Sequence, residues 1–194
     1  MTKAPPLEPP LCVDLDGTLI EGDTLVMSVR YLARRSPWTL LALPFLLLRG
    51  GRPALKAYIA RRYVPDPASL VFRPEVLAFL QEERTRGRRI ILTTAAHRLV
   101  AEAVVAHLGL FDGMVATDGG TNAKGRQKAV QIRKSLGCNE FDYIGDSTAD
   151  LPIFQEARVS YLVAPTPSLS IAARRLGRIA REFHTTRGAD SPRK

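Results

Sequence analysis

Residues 11–19, with the sequence LCVDLDGTL, constrain the fold of this chain more than any other stretch. Residues 11–15 predict a short buried strand whose side chains alternate between two faces. Gly17 follows, where glycine allows a turn at little steric cost. Because Asp14 and Asp16 are two residues apart, we expect both carboxylates to leave the strand on one side, at its carboxyl end. Ligands bind at that end in open α/β sheets.

Two carboxylates held this close repel each other and retain protons unless a cation lies between them. A hard divalent ion with oxygen ligands fits best, and Mg²⁺ is the expected cofactor. A D-x-D pair in an irregular loop is usually only solvated charge. The apolar strand before Asp14 and the Gly-Thr pair after Asp16 favour a functional site instead.

The rest of the chain predicts an α/β fold with a Rossmann-like, three-layer core around a parallel sheet. Further strands are predicted over residues 89–93, 114–116, 141–144 and 161–163, and helices over 25–35, 75–86, 99–108, 124–136 and 168–183. The catalytic core is expected to comprise residues 1–19 and 74–184. Residues 20–73 interrupt the alternation and predict a helical cap inserted after the first strand. The tail over 185–194 is expected to be disordered.

The charge of the chain favours anionic partners. Its 194 residues carry a formal net charge of +9, mostly from arginine clusters, in a composition that is 45% hydrophobic. Phosphorylated substrates and acidic lipid headgroups fit such a field, although the clusters could equally be solvated helix faces. No nucleic-acid partner is expected, because no known DNA-binding pattern is present. Two cysteines without a framework and the lack of a signal peptide favour a cytoplasmic location.

Residues 38–48, WTLLALPFLLL, are apolar nearly all round. They are too few to cross a bilayer, which takes about 20 residues. A buried cap helix is the favoured interpretation. The alternatives are a partner-binding helix and a segment that lies in a membrane interface, with arginines at its end.

Four groups of polar residues follow successive strands of the predicted sheet. They are Asp14 with Asp16, Thr94, Lys124, and Asp146 with Asp150. These residue types suit phosphoryl transfer: a carboxylate can be the nucleophile and a second one the acid and base. A lysine and a hydroxyl can neutralise the oxygens of the transferred group, and further carboxylates can hold Mg²⁺.

These motifs resemble those of the haloacid dehalogenase superfamily: DLDGT, IILTT, the lysine of NAKG, and GDSTAD. The resemblance implies that Asp14 is the nucleophile and Asp16 the general acid and base. Thr94 and Lys124 would then hold the phosphoryl group. Asp14, Asp16 (through its backbone carbonyl) and Asp146 would bind Mg²⁺, and Asp150 would be a further ligand through water or a partner of Lys124. Asp23 resembles a substrate-facing acid of the phosphoserine-phosphatase branch, and is equally a plain helix cap.

The insertion, together with LTTAA, TNAKG and FDYIGDSTADLP, is similar to one branch of the superfamily. This branch is the phosphatase-like domain found fused to polyprenyl transferases of the ubiquinone-biosynthesis type. The resemblance implies work near polyprenyl lipids, with a sugar phosphate or a lipid-linked phosphate as substrate. It also implies a peripheral position at the inner face of the membrane, with a membrane or prenyltransferase contact through residues 38–48.

The sequence thus predicts a Mg²⁺-dependent phosphomonoester hydrolase. A phosphotransferase differs only in the acceptor and remains an alternative. A non-catalytic module that docks on a membrane prenyltransferase or a membrane surface is the other alternative. The exposure or burial of residues 40–48 distinguishes the docking module from an enzyme with a buried cap.

Overall fold

The computed structural model describes residues 8–118, 125–137 and 140–184. The strands are β1 (Leu11–Val13), β2 (Ile90–His97), β3 (Gly113–Thr117), β4 (Asp142–Gly145), β5 (Ser160–Val163) and β6 (Ile179–Phe183). The helices are α1 (Thr24–Arg35), α2 (Leu43–Ala60), α3 (Pro74–Thr85), α4 (Arg98–Leu108), α5 (Arg126–Leu136), α6 (Leu151–Glu156) and α7 (Pro167–Leu176). Short 3₁₀ turns lie at Pro37–Ala42, Pro67–Ser69 and Thr148–Asp150. The predicted tail over 185–194 lies outside the described residues.

The six strands form one parallel sheet in the order β3-β2-β1-β4-β5-β6. Strand β1 lies inside the sheet, and its last residue, Val13, is in register with Leu92 of β2 and Ile144 of β4. The strand order reverses between β1 and β4, and the crevice at such a switch point is where ligands bind in open sheets. The predicted Rossmann-like α/β class is confirmed.

Apolar side chains cover both faces of this sheet. Leu11 and Val13 belong to one buried cluster and Cys12 to the other, as the alternation along a strand requires. All three side chains are fully buried. A buried aliphatic side chain of this size contributes about 1.5–3 kcal/mol to folding. The central strand is therefore fixed from both faces, and so is the position of Asp14 directly after it.

The predicted last helix, 168–183, is wrong in its second half. Helix α7 ends at Leu176, and residues 179–183 form the edge strand β6 beside β5. At Gly177 a Cβ atom would lie 2.2 Å from the carbonyl oxygen of Phe154, so the chain passes too close to α6 to hold a side chain there. Unpaired backbone groups on β5 then accept a strand, and this tertiary pairing overrides the amphipathic pattern.

Two helices lie between β1 and α3, in the region predicted to be a cap. Helix α1 is capped by Asp23, whose carboxylate accepts a hydrogen bond from the N–H of Val26. Helix α2 is broken at Gly51, which has a φ of 62° that glycine adopts without strain. The rings of Tyr31, in α1, and Tyr63, just after α2, stack with their centres 3.7 Å apart. The division into core and cap remains a prediction.

The expectation that residues 38–48 form a buried cap helix is wrong. The 3₁₀ turn Pro37–Ala42 contains no buried residue, and the buried residues of α2 are Ala57, Ile59 and Ala60, all beyond the break at Gly51. Helix α1 is the neighbouring helix of this region, and one helix cannot cover a segment that is apolar all round. The first half of α2 therefore has no buried residue and exposes Phe45, Leu47 and Leu48 to solvent.

Candidate active site

The ends of β1 and β4 bring three carboxylates together. The Asp14 N–H donates a hydrogen bond to the carbonyl of Ile144 at 3.0 Å, which ties the two strand ends to each other. One carboxylate oxygen from each of Asp14, Asp146 and Asp150 lies within 4.8 Å of the others. The predicted convergence of residues from the first and last motifs is thus observed, and it follows from strands β1 and β4 being neighbours.

Lys128 on α5 neutralises part of this cluster. Its Nζ donates to Asp14 Oδ1 at 2.7 Å and lies 3.8 Å from Asp150 Oδ1. Nζ also donates to the hydroxyl of Tyr143 at 2.6 Å, and this hydroxyl donates to Asp150 Oδ1 at 2.9 Å. Burial alone would lower the pKa of Lys128, but the charges of Asp14 and Asp150 outweigh it and raise the pKa. Lys128 therefore holds its positive charge inside the site.

The carboxylates themselves are poised to bind a cation. Burial raises the pKa of Asp14 to about 7 despite Lys128, and Asp150 adds to the rise. Burial likewise raises the pKa of Asp146 to about 6, against a hydrogen bond donated by the Thr18 hydroxyl at 2.9 Å. Among the residues that the structure describes, three carboxylates and one lysine meet here, which leaves excess negative charge in a buried place. A divalent cation with oxygen ligands fits this donor set.

Asp16 lies apart from the cluster, on the side of α1. Its Oδ1 accepts a hydrogen bond from the N–H of Thr24 at 2.7 Å. Burial raises the pKa of Asp16, and the hydrogen bond from Thr24 opposes the rise. A general acid must carry a proton before it donates one, and a raised pKa favours the protonated form of this carboxyl.

Asp150 is fixed by its own turn. Its Oδ2 accepts hydrogen bonds from the backbone N–H of Ser147 at 3.2 Å and from the Ser147 hydroxyl at 3.0 Å. Its Oδ1 accepts from Tyr143. The side chain is thus held in place by three donors before any ligand enters.

A cavity of about 460 Å³ opens over these residues. Asp14, Asp16 and Lys128 form part of its floor, and the region 23–60 supplies part of its wall, including Asp23, Arg52, Lys56 and Ile59. The Lys56 ammonium donates to the carbonyl of Ala95, so α2 contacts the end of β2 across the cavity. The cavity thus lies between the carboxyl edge of the sheet and the helices that follow β1.

The other predicted residues have mixed outcomes. Thr94 is buried in β2, and its Oγ1 accepts a hydrogen bond from the Ala96 N–H at 2.9 Å, so its role toward phosphate stays a prediction. Lys124 lies outside the described residues. Asp23 caps α1 and also lines the cavity, so its cap role is confirmed and its role toward substrate stays a prediction.

The sequence interpretation missed Lys128 and Tyr143. A signal for Lys128 was present, because it shares a helical face with Ala129 and Ile132, which are fully buried. A lysine within an apolar face requires a buried anionic partner. Tyr143 was hidden inside an apolar strand, where a tyrosine is usually only part of the core.

Gly17→Ala tests the close packing of the Gly17 backbone against the Asp146 carboxylate. At Gly17 a Cβ atom would lie 2.1 Å from Asp146 Oδ2, and the φ of 79° is unfavourable for alanine. We expect the free energy of unfolding to fall by about 1–3 kcal/mol and the affinity for Mg²⁺ to fall with it. Chemical denaturation and calorimetric Mg²⁺ titration would measure both.

Gly109→Ala is the matched control, since Gly109 has a φ of 61° and an added Cβ atom would have open space within 4 Å around it. It should lose stability through the backbone alone and leave Mg²⁺ binding unchanged. Equal Mg²⁺ affinity in both variants would contradict the close packing of Gly17 against Asp146.

The fold and the site together define a class: an α/β protein with a buried acidic cluster and a lysine at the switch point of a parallel sheet. The chain matches the model of the haloacid dehalogenase-like hydrolases over residues 11–155 and belongs to that family. The acidic motif after β1 and the acidic motif after β4 both lie within the matched range.

Two relatives and one solved structure illustrate the similarity. The chain is 39% identical over 155 residues to the uncharacterized protein y4nM of Sinorhizobium fredii, a match that covers 79% of this chain and 30% of that protein. The chain thus spans about a third of the length of that relative. It is 26% identical to a phosphoglycolate phosphatase of Rhodobacter capsulatus, covering 81% of this chain and 84% of the relative. A phosphoserine phosphatase in its apo form shares the fold with a TM-score of 0.62 at 17% identity, covering 92% of this chain and 94% of that one.

Among the residues that the structure describes, no helix combines the length and the apolar character that crossing a bilayer requires.

Proposed function

We propose that this protein is a Mg²⁺-dependent phosphomonoester hydrolase that acts through an aspartyl-phosphate intermediate on Asp14. The observation that carries the proposal is the buried contact of Asp14 with Lys128 beside Asp146 and Asp150. Membership of a hydrolase family and the similarity to a phosphoglycolate phosphatase support a phosphatase.

In this proposal a carboxylate oxygen of Asp14 forms a bond to phosphorus as the bond to the leaving oxygen breaks. Asp16, with its raised pKa, gives its proton to the leaving oxygen. Water then attacks the phosphorus of the acyl phosphate, and Asp16 takes up a proton from that water. Inorganic phosphate and the Asp14 carboxylate are the products of this step.

Lys128 and the bound cation would balance charge during both steps. The Lys128 ammonium next to Asp14 is placed to attract oxygens of the transferred phosphoryl group. Asp14, Asp146 and Asp150 would hold Mg²⁺, which supplies charge neutralisation when bound. The backbone carbonyl of Asp16 is a further proposed ligand from the family resemblance.

The proposed substrates are phosphorylated small molecules, which the phosphatase relative supports. The basic side chains of Arg52 and Lys56 in the cavity wall fit an anionic compound. A sugar phosphate or a polyprenyl-linked phosphate is the finer proposal, and it rests on the resemblance of the insertion alone.

Phosphate release from a panel of phosphomonoesters tests the proposal. The panel contains phosphoglycolate, phosphoserine, sugar phosphates and a polyprenyl-linked phosphate, each with Mg²⁺ and with a chelator. We expect turnover of at least one compound that depends on Mg²⁺. A folded protein that binds Mg²⁺ and hydrolyses none would contradict the proposal and favour the non-catalytic docking module, which the exposure of residues 38–48 supports.

Mg²⁺ binding should strengthen as the pH rises. Since the pKa values of Asp14 and Asp146 are raised to about 7 and about 6, both groups hold protons in the folded, metal-free protein at low pH. The two protonated carboxyl groups add to the free energy of unfolding at low pH. This contribution is lost as the pH rises through 6 to 7, because the folded protein then releases the protons. Mg²⁺ binds the deprotonated cluster and should compensate for this loss.

Thermal unfolding at pH 5.5 and pH 8, with and without Mg²⁺, measures the effect. The increase in Tm on adding Mg²⁺ should be larger at pH 8. An equal increase at the two pH values would show that these carboxylates do not bind the ion.

A further inference from the structure

An apolar stripe stands exposed on the region between β1 and α3. It consists of Trp38, Leu41, Phe45 and Leu48, with exposed fractions of 80%, 73%, 55% and 87%. The last three are spaced three and four residues apart, so they share one helical face. Exposed apolar residues that occur singly are normal, but a contiguous face of this kind indicates an interaction surface.

The chain segment that carries the stripe has charges of one sign. Residues 24–65 contain eight basic residues and no acidic residue. The basic residues are Arg30, Arg34, Arg35, Arg49, Arg52, Lys56, Arg61 and Arg62. All seven arginines are exposed, and the guanidinium of Arg49 lies 4.6 Å from the ring centre of Phe45, within the stripe itself. The chain segment that carries the stripe is thus strongly basic, and at least Arg49 lies directly beside the stripe.

We propose that this surface docks the protein on an anionic phospholipid bilayer, with the stripe in the interface and the arginines on the headgroups. Docking is separate from the proposed hydrolysis, because no stripe residue lines the cavity described above. The protein would lie on the bilayer without crossing it.

The side chains of the stripe favour a lipid surface over other anionic partners. Transfer of a large apolar side chain from water to the acyl boundary lowers the free energy, and tryptophan prefers the headgroup level. Arginine stems can lie along the apolar surface while their guanidinium groups reach phosphates. A nucleic acid would contact the arginines but would leave the leucines of the stripe in water.

Helix α2 connects the docking surface to the cavity. The stripe lies before the break at Gly51, and Lys56 and Ile59 line the cavity after it. Because the two halves of α2 are directly connected at Gly51, a docked protein would hold the cavity close to the bilayer surface.

The chain offers its own probe, since Trp38 is its single tryptophan. The full chain is mixed with phosphatidylcholine vesicles that contain phosphatidylglycerol, and with vesicles of phosphatidylcholine alone. We expect Trp38 emission to shift to shorter wavelength and the protein to sediment with the anionic vesicles, with weaker binding at high salt. Unchanged emission, or equal binding to neutral vesicles, would overturn the proposal.

Two pairs of variants locate the surface, and all retain Trp38. Leu41→Asp with Leu48→Asp should weaken vesicle binding by at least roughly tenfold, as should Arg34→Glu with Arg35→Glu. The matched controls are Val130→Asp with Ile171→Asp, and Arg175→Glu with Arg178→Glu, which change exposed residues elsewhere. The controls should bind within about twofold of the wild type.

If a control pair weakened vesicle binding as much as the variants of the stripe and of Arg34 and Arg35, the assignment of the docking surface would be overturned. A dimer that dissociates in Leu41→Asp with Leu48→Asp, without vesicle binding by the wild type, would overturn it in favour of a second copy of the chain. Hydrolysis of a soluble phosphomonoester should be unchanged in all these variants, so that docking and catalysis can fail independently.

Discussion

Asp14→Asn should abolish phosphate release and leave the fold intact. An amide oxygen is not a nucleophile toward phosphorus, so turnover should fall by at least roughly 10³-fold. The substitution keeps the shape of the side chain, and Lys128 retains Asp150 and Tyr143 as partners. It also removes one of the three described carboxylates that lie close to Lys128, which lowers the repulsion among them. Circular dichroism and thermal unfolding should therefore give a native protein.

Asp66→Asn is the matched control for this variant. Asp66 caps the 3₁₀ turn Pro67–Ser69 by accepting a hydrogen bond from the Ala68 N–H, and asparagine caps equally well. Phosphate release should stay at the wild-type rate. Retention of most activity by Asp14→Asn, with the control unchanged, would exclude Asp14 as the nucleophile.

Lys128→Met should lower both activity and stability. Without the ammonium, Asp14 and Asp150 lose a buried cation, and breaking a buried ion pair typically costs about 3–5 kcal/mol. The free energy of unfolding should fall most above pH 7, where Asp14, with a pKa of about 7, is ionised in the wild type. At pH 5 protonation should relieve the repulsion and reduce the loss. Turnover should fall by about 10²–10³-fold, as for other electrostatic contacts in active sites.

Two further lysine variants separate the role of Lys128 from the roles of other lysines in the sequence. Lys134→Met changes an exposed lysine of the same helix and should leave activity and stability unchanged. Lys124→Met tests the lysine that the sequence indicated. If Lys128 holds the phosphoryl group, Lys124→Met should retain most of the turnover. The reverse result, loss with Lys124→Met and not with Lys128→Met, would restore the assignment made from the NAKG motif.

Much of the fold and the acidic half of the site could be predicted from the sequence. Strands β1 and β4 are each followed directly by an aspartate, and a parallel sheet brings such strand ends to one edge. The local sequence pattern and the order of the strands were therefore enough to predict that Asp14 and Asp146 lie close together. The ends of helices α4 and α5 followed from the glycine stops Gly109 and Gly137.

Other features depended on contacts that a local pattern does not contain. Strand β6 formed because the free edge of β5 offered hydrogen bonds to residues whose pattern predicts a helix. Lys128 entered the site because α5 packs with that face toward Tyr143 and Asp14, two groups distant from it in sequence. The charge state of a buried lysine depends on neighbours that are distant in sequence, and hydrophobic periodicity alone does not identify these neighbours.

The apolar segment over residues 38–48 shows most clearly which features could not be predicted from the sequence. Its composition determined that it would favour an apolar environment, because exposing apolar side chains to water is unfavourable. Whether that environment was the core or an external surface depended on how many helices lay beside it. With α1 as its helical neighbour and a break at Gly51, the segment stays exposed. The sequence by itself determined the chemistry of the strand ends and the apolar character of this segment, whereas packing between distant elements decided what each of them faces.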